Sequence, residues 1–106
     1  LVDAGWMALS RDRGTQGQAI DQGYGLVCTE DGQVLDDWTV SAANQEHGIV
    51  TSREGAAPAD LAARFPVGSR LRVLPNHACA TAAQFGQYHV VDPHGALSVW
   101  PRFGGW

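Results

Sequence analysis

Lysine is absent from this 106-residue chain; all seven basic residues are arginine. No side chain here can therefore form a Schiff base with a carbonyl substrate or an aldehyde cofactor. Any such lysine must be supplied by residues outside this sequence. A basic stripe is also missing. The arginines are spread singly in a chain of net charge −4, so nucleic acid is not an expected partner. No run approaches the roughly 18 apolar residues of a membrane helix, so a membrane is not expected either. The opening residues have neither the basic region nor the apolar region of a secretory leader. The chain also starts on Leu1 and not on a methionine, which suggests a fragment or a processed chain. Cysteine is scarce: Cys28 and Cys79 permit one disulfide at most. Small secreted domains usually carry more, so the expectation is a cytoplasmic chain with reduced thiols.

What is present points to one globular domain spanning residues 1–106. A hydrophobic fraction of 44% is ordinary for a folded protein. Segment by segment, short strands dominate. "DAGWMALSRD" (3–12) has a strand-like centre. Tyr24 to Thr29 reads as a strand, Asp31-Gly32 as a hairpin turn, and Gln33 to Ala42 as the returning strand. His47 to Ser52 is another short strand. Pro58, with Leu61, Ala62 and Phe65 at helical spacing, predicts one or two helical turns that Pro66 and Gly68 stop. Ser69 to Pro75 alternates like a strand. The alanine-rich "ACATAAQF" (78–85) predicts a helix, with Asn76 as its candidate cap. "YHVVD", a turn at Pro93–Gly95 and "ALSVWPR" form a final hairpin. Gly104 and Gly105 suit a turn or close backbone approach. These elements predict a mainly β fold: a small antiparallel barrel or sandwich of about seven strands with one or two short helices.

Two places carry candidate chemistry. His77-x-Cys79 offers an imidazole and a thiol, both good zinc ligands. Residues two apart face the same way in an extended segment, but lie about 200° apart in a helix. Pro75 ends the preceding strand, which puts the pair in a strand-to-helix turn, where shared ligation is feasible. Two ligands are too few for a closed structural site and suit an open one. The ordinary alternative is a cysteine packed as a small apolar residue and a histidine bonded within a loop. Glu46-His47 is the second candidate, since a histidine beside a carboxylate can act as a base or an orienter. An exposed pair at a strand start is the common case. His94 in "DPHG" reads as a turn residue, and His89 as a solvent-facing strand residue. The tryptophans at 6, 38, 100 and 106 read as core or interface.

Taken in order, "DAGWMALSRD", "EHG", "VGSRLRVLPNHACATAAQF" and "YHVVD" resemble the C-terminal domain of the D-serine dehydratase-like enzymes. These are related to the D-threonine aldolases within the alanine-racemase-type (fold type III) pyridoxal-phosphate enzymes. The resemblance runs from Asp3 to about Trp100, and "PNHAC" within "VGSRLRVLP" is its most specific part. It implies a two-domain enzyme whose TIM-like barrel, absent here, holds pyridoxal 5'-phosphate on a lysine. It also implies packing of this alanine-racemase-like β domain against that barrel and a second subunit, as a homodimer. His77 and Cys79 would bind zinc, and His47 would be the catalytic candidate, orienting or contacting substrate. Aldolase members have aspartate in place of the cysteine and use a harder ion, so Cys79 favours the dehydratase side. The implied reaction converts D-serine or another 3-hydroxy-D-amino acid to a keto acid and ammonia, with this chain inactive alone. Two alternatives stand beside it: a domain of a metal-dependent D-threonine-type aldolase, and a non-catalytic β-barrel module for binding or assembly.

Overall fold

The alternating segments become strands, and most connections between them are short. In the structure, a computed structural model, residues 1–104 are described; the expectations for Gly105 and Trp106 lie outside them. The elements run α1 (Trp6–Leu9), β1 (Gly25–Cys28), β2 (Val34–Ala43), β3 (Gly48–Ser52), α2 (Leu61–Arg64), β4 (Arg72–Pro75), α3 (Ala78–Ala83), β5 (Gln87–Val91) and β6 (Leu97–Pro101). The four-stranded antiparallel sheet has the order β3-β2-β1-β4, and β5 and β6 form a separate hairpin. The expected turn at Asp31-Gly32 is there. Gly32 sits at φ 95°, a conformation that favours glycine. The backbone closes around it through Thr29 N to Gln33 O at 2.9 Å and Gly32 N to Thr29 O at 3.0 Å.

Two expectations are corrected. The described residues form six strands rather than about seven. The missing strand is "DAGWMALSRD", whose centre is the helical turn α1. Its first N–H groups have no partners within a helix this short. Gly5, Trp6 and Met7 instead donate to Glu46 O (3.1 Å), Asn44 O (3.0 Å) and Gln45 O (3.1 Å), carbonyls of the β2–β3 turn. The second correction concerns closure. Neither sheet closes into a barrel, because β4 pairs with β1 and leaves β3 and β4 as the two edges. Among the described residues the last two strands pair only with each other, so the barrel gives way to an open sheet and a hairpin.

The core sits on one face of the sheet. Leu9, Val27, Trp38 and Val40 form its buried centre, with Tyr24, Leu35, Val50, Phe65, Leu71 and Val73 packed around them. Trp38 and Phe65 meet edge to face, centroids 5.2 Å apart. That contact docks α2, which is a single turn. Full burial of a valine such as Val27 or Val40 stabilises by about 1.5–3 kcal/mol. Many large apolar side chains lie outside this small core. All five residues of β6 are exposed, and Tyr88, Leu97, Val99, Trp100 and Phe103 face solvent.

Candidate metal centre

The expected pair in the strand-to-helix turn is divided: His77 is the N-cap of α3 and Cys79 lies in its first turn, and this junction is fastened on both sides. Pro75 ends β4 opposite Gly25 of β1. Asn76 then turns inward: its N–H donates to Tyr24 O (3.1 Å), and its Nδ2 donates to Gly23 O (2.6 Å) and Thr15 Oγ1 (2.7 Å). Asn76 Nδ2 is thus tied to the 13–25 loop while its Oδ1, the atom that would accept in a cap, is buried without a partner, and the expected cap on α3 does not form. His77 occupies the N-cap instead, with extended backbone (φ −118°, ψ 91°) and no side-chain capping bond. The loop that holds Asn76 is itself organised by Asp21. That carboxylate accepts from Gly23 N–H, accepts from the Thr15 hydroxyl and pairs with Arg13. The Gly23 N–H, followed by Thr15 and Arg13, holds the Asp21 carboxyl below its ordinary pKa. On the other side, the Thr81 hydroxyl lies within reach of both Leu9 O (2.8 Å) and His77 O (2.9 Å), joining α3 to α1.

His77 and Cys79 line one cleft of about 560 Å3. The alanines of α3 form one wall, and Tyr88 and Arg102, from the β5–β6 hairpin and the residue after it, form another. The thiol of Cys79 is exposed, whereas Cys28 is buried, and both are free cysteines. The His77 ring is half exposed, with Nδ1 2.7 Å from Asp12 Oδ2. Donation of an Nδ1 proton to that carboxylate leaves the lone pair on Nε2, the arrangement that carboxylates impose on metal-binding histidines. No third His, Cys, Asp or Glu joins the pair as a metal-sized cluster among the described residues. The donors are thus one imidazole and one thiol, with the other positions open. That set fits a borderline-soft divalent ion, zinc before magnesium or calcium.

His47 is placed elsewhere. It lies exposed in the β2–β3 turn, its carbonyl accepting from Asn44 N at 2.8 Å. It lines a second cleft, of about 610 Å3, with Asp3, Ser69, Arg70 and Leu71. The two clefts share no lining residue. Within this chain the structure brings His77 and Cys79 together and leaves His47 apart from them. His94 is a turn residue, its N–H bonded to Asp92 Oδ1 at 2.8 Å. His89 is exposed on β5 beside Gln87. Asp12, Tyr88 and Arg102 were not among the sequence candidates. Asp12 reaches His77 across 65 positions, and no local spacing marks such a pair.

The fold and this cleft define a small β domain with an imidazole and a thiol lining one cleft at a strand-to-helix junction. Residues 1–91 match the family described as "Putative serine dehydratase domain", and the chain belongs to that family of D-serine dehydratase-like domains. It is 56% identical over 106 residues to the D-threo-3-hydroxyaspartate dehydratase of Delftia sp. (strain HT23), covering all of this chain and 28% of that enzyme. The solved structure of that enzyme superposes with a TM-score of 0.92 over 98% of this chain and 27% of the other. It is 34% identical over 95 residues to the D-serine dehydratase of Dictyostelium discoideum, covering 87% of this chain and 22% of that one. An alanine racemase-like protein from Idiomarina loihiensis aligns at 50% identity with a TM-score of 0.85, over 98% of this chain and 27% of that one, in keeping with the alanine-racemase-like expectation. The chain spans under a third of the length of these relatives. A D-threo-3-hydroxyaspartate dehydratase has also been solved as a cysteine-to-alanine variant in the metal-free form, and as a variant with alanine replacing a histidine two positions earlier. His77 and Cys79 have the same spacing.

Proposed function

We propose that this chain is the metal-holding domain of a pyridoxal-phosphate- and zinc-dependent dehydratase acting on D-serine or a related 3-hydroxy-D-amino acid. The observation that carries the reading is one cleft lined by His77 and Cys79, at the spacing of the two residues replaced in the dehydratase variants. When bound, zinc supplies Lewis acidity to a β-hydroxyl and pyridoxal phosphate supplies an electron sink, so that a keto acid and ammonia result.

The work of this chain's own residues follows from their positions. His77 Nε2 and Cys79 Sγ would hold the metal, supplying two of its donors. Asn76 and Thr81 hold the turn that carries the two donors, which keeps their spacing fixed. Tyr88 and Arg102 border the cleft, where a hydroxyl and a cation can meet a polar, anionic amino acid. His47 acts from its own cleft as an orienting or substrate-contacting group and not as a metal ligand.

With no lysine, this chain cannot hold pyridoxal phosphate covalently. The partner in this reading is a barrel of the same protein that carries it, together with a second subunit of a cytoplasmic homodimer. The exposed apolar side chains of the hairpin suit such a partner.

The test is a Cys79→Ala substitution in the intact enzyme. The expected result is loss of bound zinc, by elemental analysis, and of most keto acid and ammonia production from D-serine or 3-hydroxy-D-aspartate. Full turnover after both substitution and chelation would overturn the reading. Glycine and an aldehyde as products would move the chain to the aldolase side.

A further inference from the structure

We infer that Asp12 is the positioning residue that sets His77 for the metal, an inference that rests on the proposed metal site. A histidine can offer either ring nitrogen to an ion, and something must choose. Here Asp12 Oδ2 lies 2.7 Å from Nδ1, a charge-assisted distance. A carboxylate on Nδ1 fixes the proton there, stops ring rotation and makes Nε2 the more basic ligand.

The carboxylate is itself held in place. Asp12 N–H donates to Ser10 Oγ at 3.0 Å. Ser10 is buried and closes α1 with a positive φ of 73°. The Thr81 hydroxyl joins Leu9, the last residue of α1, to the carbonyl of His77 itself. Asp12 and His77 are therefore the tips of two short elements tethered to each other a few residues back. The Asp12 carboxylate makes no other side-chain hydrogen bond among the described residues.

A purely structural explanation is weak. Both side chains are about half exposed, and an exposed ion pair contributes little to stability. The effect of removing Asp12 should thus fall on the metal and not on the fold.

The experiment uses the intact enzyme as wild type, Asp12→Ala and Asp12→Asn. Zinc affinity is read by competition with a chromogenic chelator, and ligand geometry by absorption of the cobalt-substituted forms. Asp12→Ala should weaken zinc binding about 10–100-fold with an unchanged thermal midpoint of the metal-free protein. Its cobalt form should keep the thiolate charge-transfer band of Cys79 and shift its ligand-field bands. Asp12→Asn retains an acceptor for the Nδ1 proton and loses the charge, so it should fall between the two. Stoichiometric zinc in the wild type with unchanged affinity in Asp12→Ala would overturn this inference alone. Tighter binding in Asp12→Ala would do the same, because Nδ1 would then be the ligand atom that Asp12 obstructs. A wild type without stoichiometric zinc would overturn the proposed function and this inference with it.

Discussion

Replacing Gly5 by alanine should release α1 from the sheet. Gly5 has φ −87° and ψ −162°, values that alanine adopts freely, so backbone strain is not the issue. Space is. A Cβ at Gly5 would stand 2.3 Å from Asn44 O, 2.6 Å from Gln45 O and 2.6 Å from His47 N. All three are backbone atoms of one tight turn, and none can swing aside like a side chain. The contact can be relieved only by moving α1 away from the turn. That stretches or breaks the three bonds by which Gly5, Trp6 and Met7 donate to Glu46, Asn44 and Gln45. At about 0.5–1.5 kcal/mol net for each bond, the loss of all three comes to about 1.5–4.5 kcal/mol. The assay is urea unfolding followed by tryptophan fluorescence, with the midpoint shifted and the slope unchanged. Gly17 is the matched control, since a Cβ there meets nothing within 4 Å; its alanine variant should stay within about 0.5 kcal/mol of wild type. A Gly5→Ala protein as stable as the Gly17→Ala control would refute the reasoning. Because Asp12 lies three residues beyond α1 and is bonded to its C-cap Ser10, the same substitution should also weaken the proposed zinc binding in the intact enzyme.

Val40→Ala should cost about 2–3 kcal/mol in the same unfolding assay, because Val40 is fully buried among Leu9, Val27 and Trp38 and the site can collapse only in part. Asp21 supplies a pH dependence. Its folded-state pKa is lowered, chiefly by the Gly23 N–H, so its contribution is present above the unfolded value near 4 and is lost as pH falls through the folded one. Unfolding midpoints measured across the acid range should therefore decline less steeply in Asp21→Asn than in wild type.

The sequence was most informative where structure is local. The strands at Gly25–Cys28, Val34–Ala43 and Gly48–Ser52, and the last hairpin, came from alternation and turn residues only a few positions apart. The helical turn at Trp6–Leu9 was not legible, because the carbonyls that satisfy its N–H groups lie about forty residues further on. Barrel closure was misjudged for the same reason. Whether β3 meets β4 is decided by long-range pairing, and β4 chose β1. The site divides in the same way. Spacing and the proline before them mark His77 and Cys79 as a pair, but they leave an ordinary loop cysteine open, and the resemblance is what implies metal. Asp12 was not, since it meets His77 only after α1 and α3 are tethered through Thr81. Asn76 has the residue type of a helix cap, but its Nδ2 is bonded into the 13–25 loop, its Oδ1 meets no donor, and the helix has no side-chain cap.

Burial makes the two cysteines chemically unequal. Cys79 is open to solvent, whereas Cys28 is 1% exposed in the centre of the sheet. An alkylating reagent added to the folded chain therefore meets one thiol. It reaches the second only when β1 parts from β2 and β4, an opening that approaches global unfolding in free energy. The slow reaction of Cys28 reports how often the sheet comes apart, and the fast one reports whether the His77–Cys79 cleft is occupied, so one time course in one unmodified chain records both.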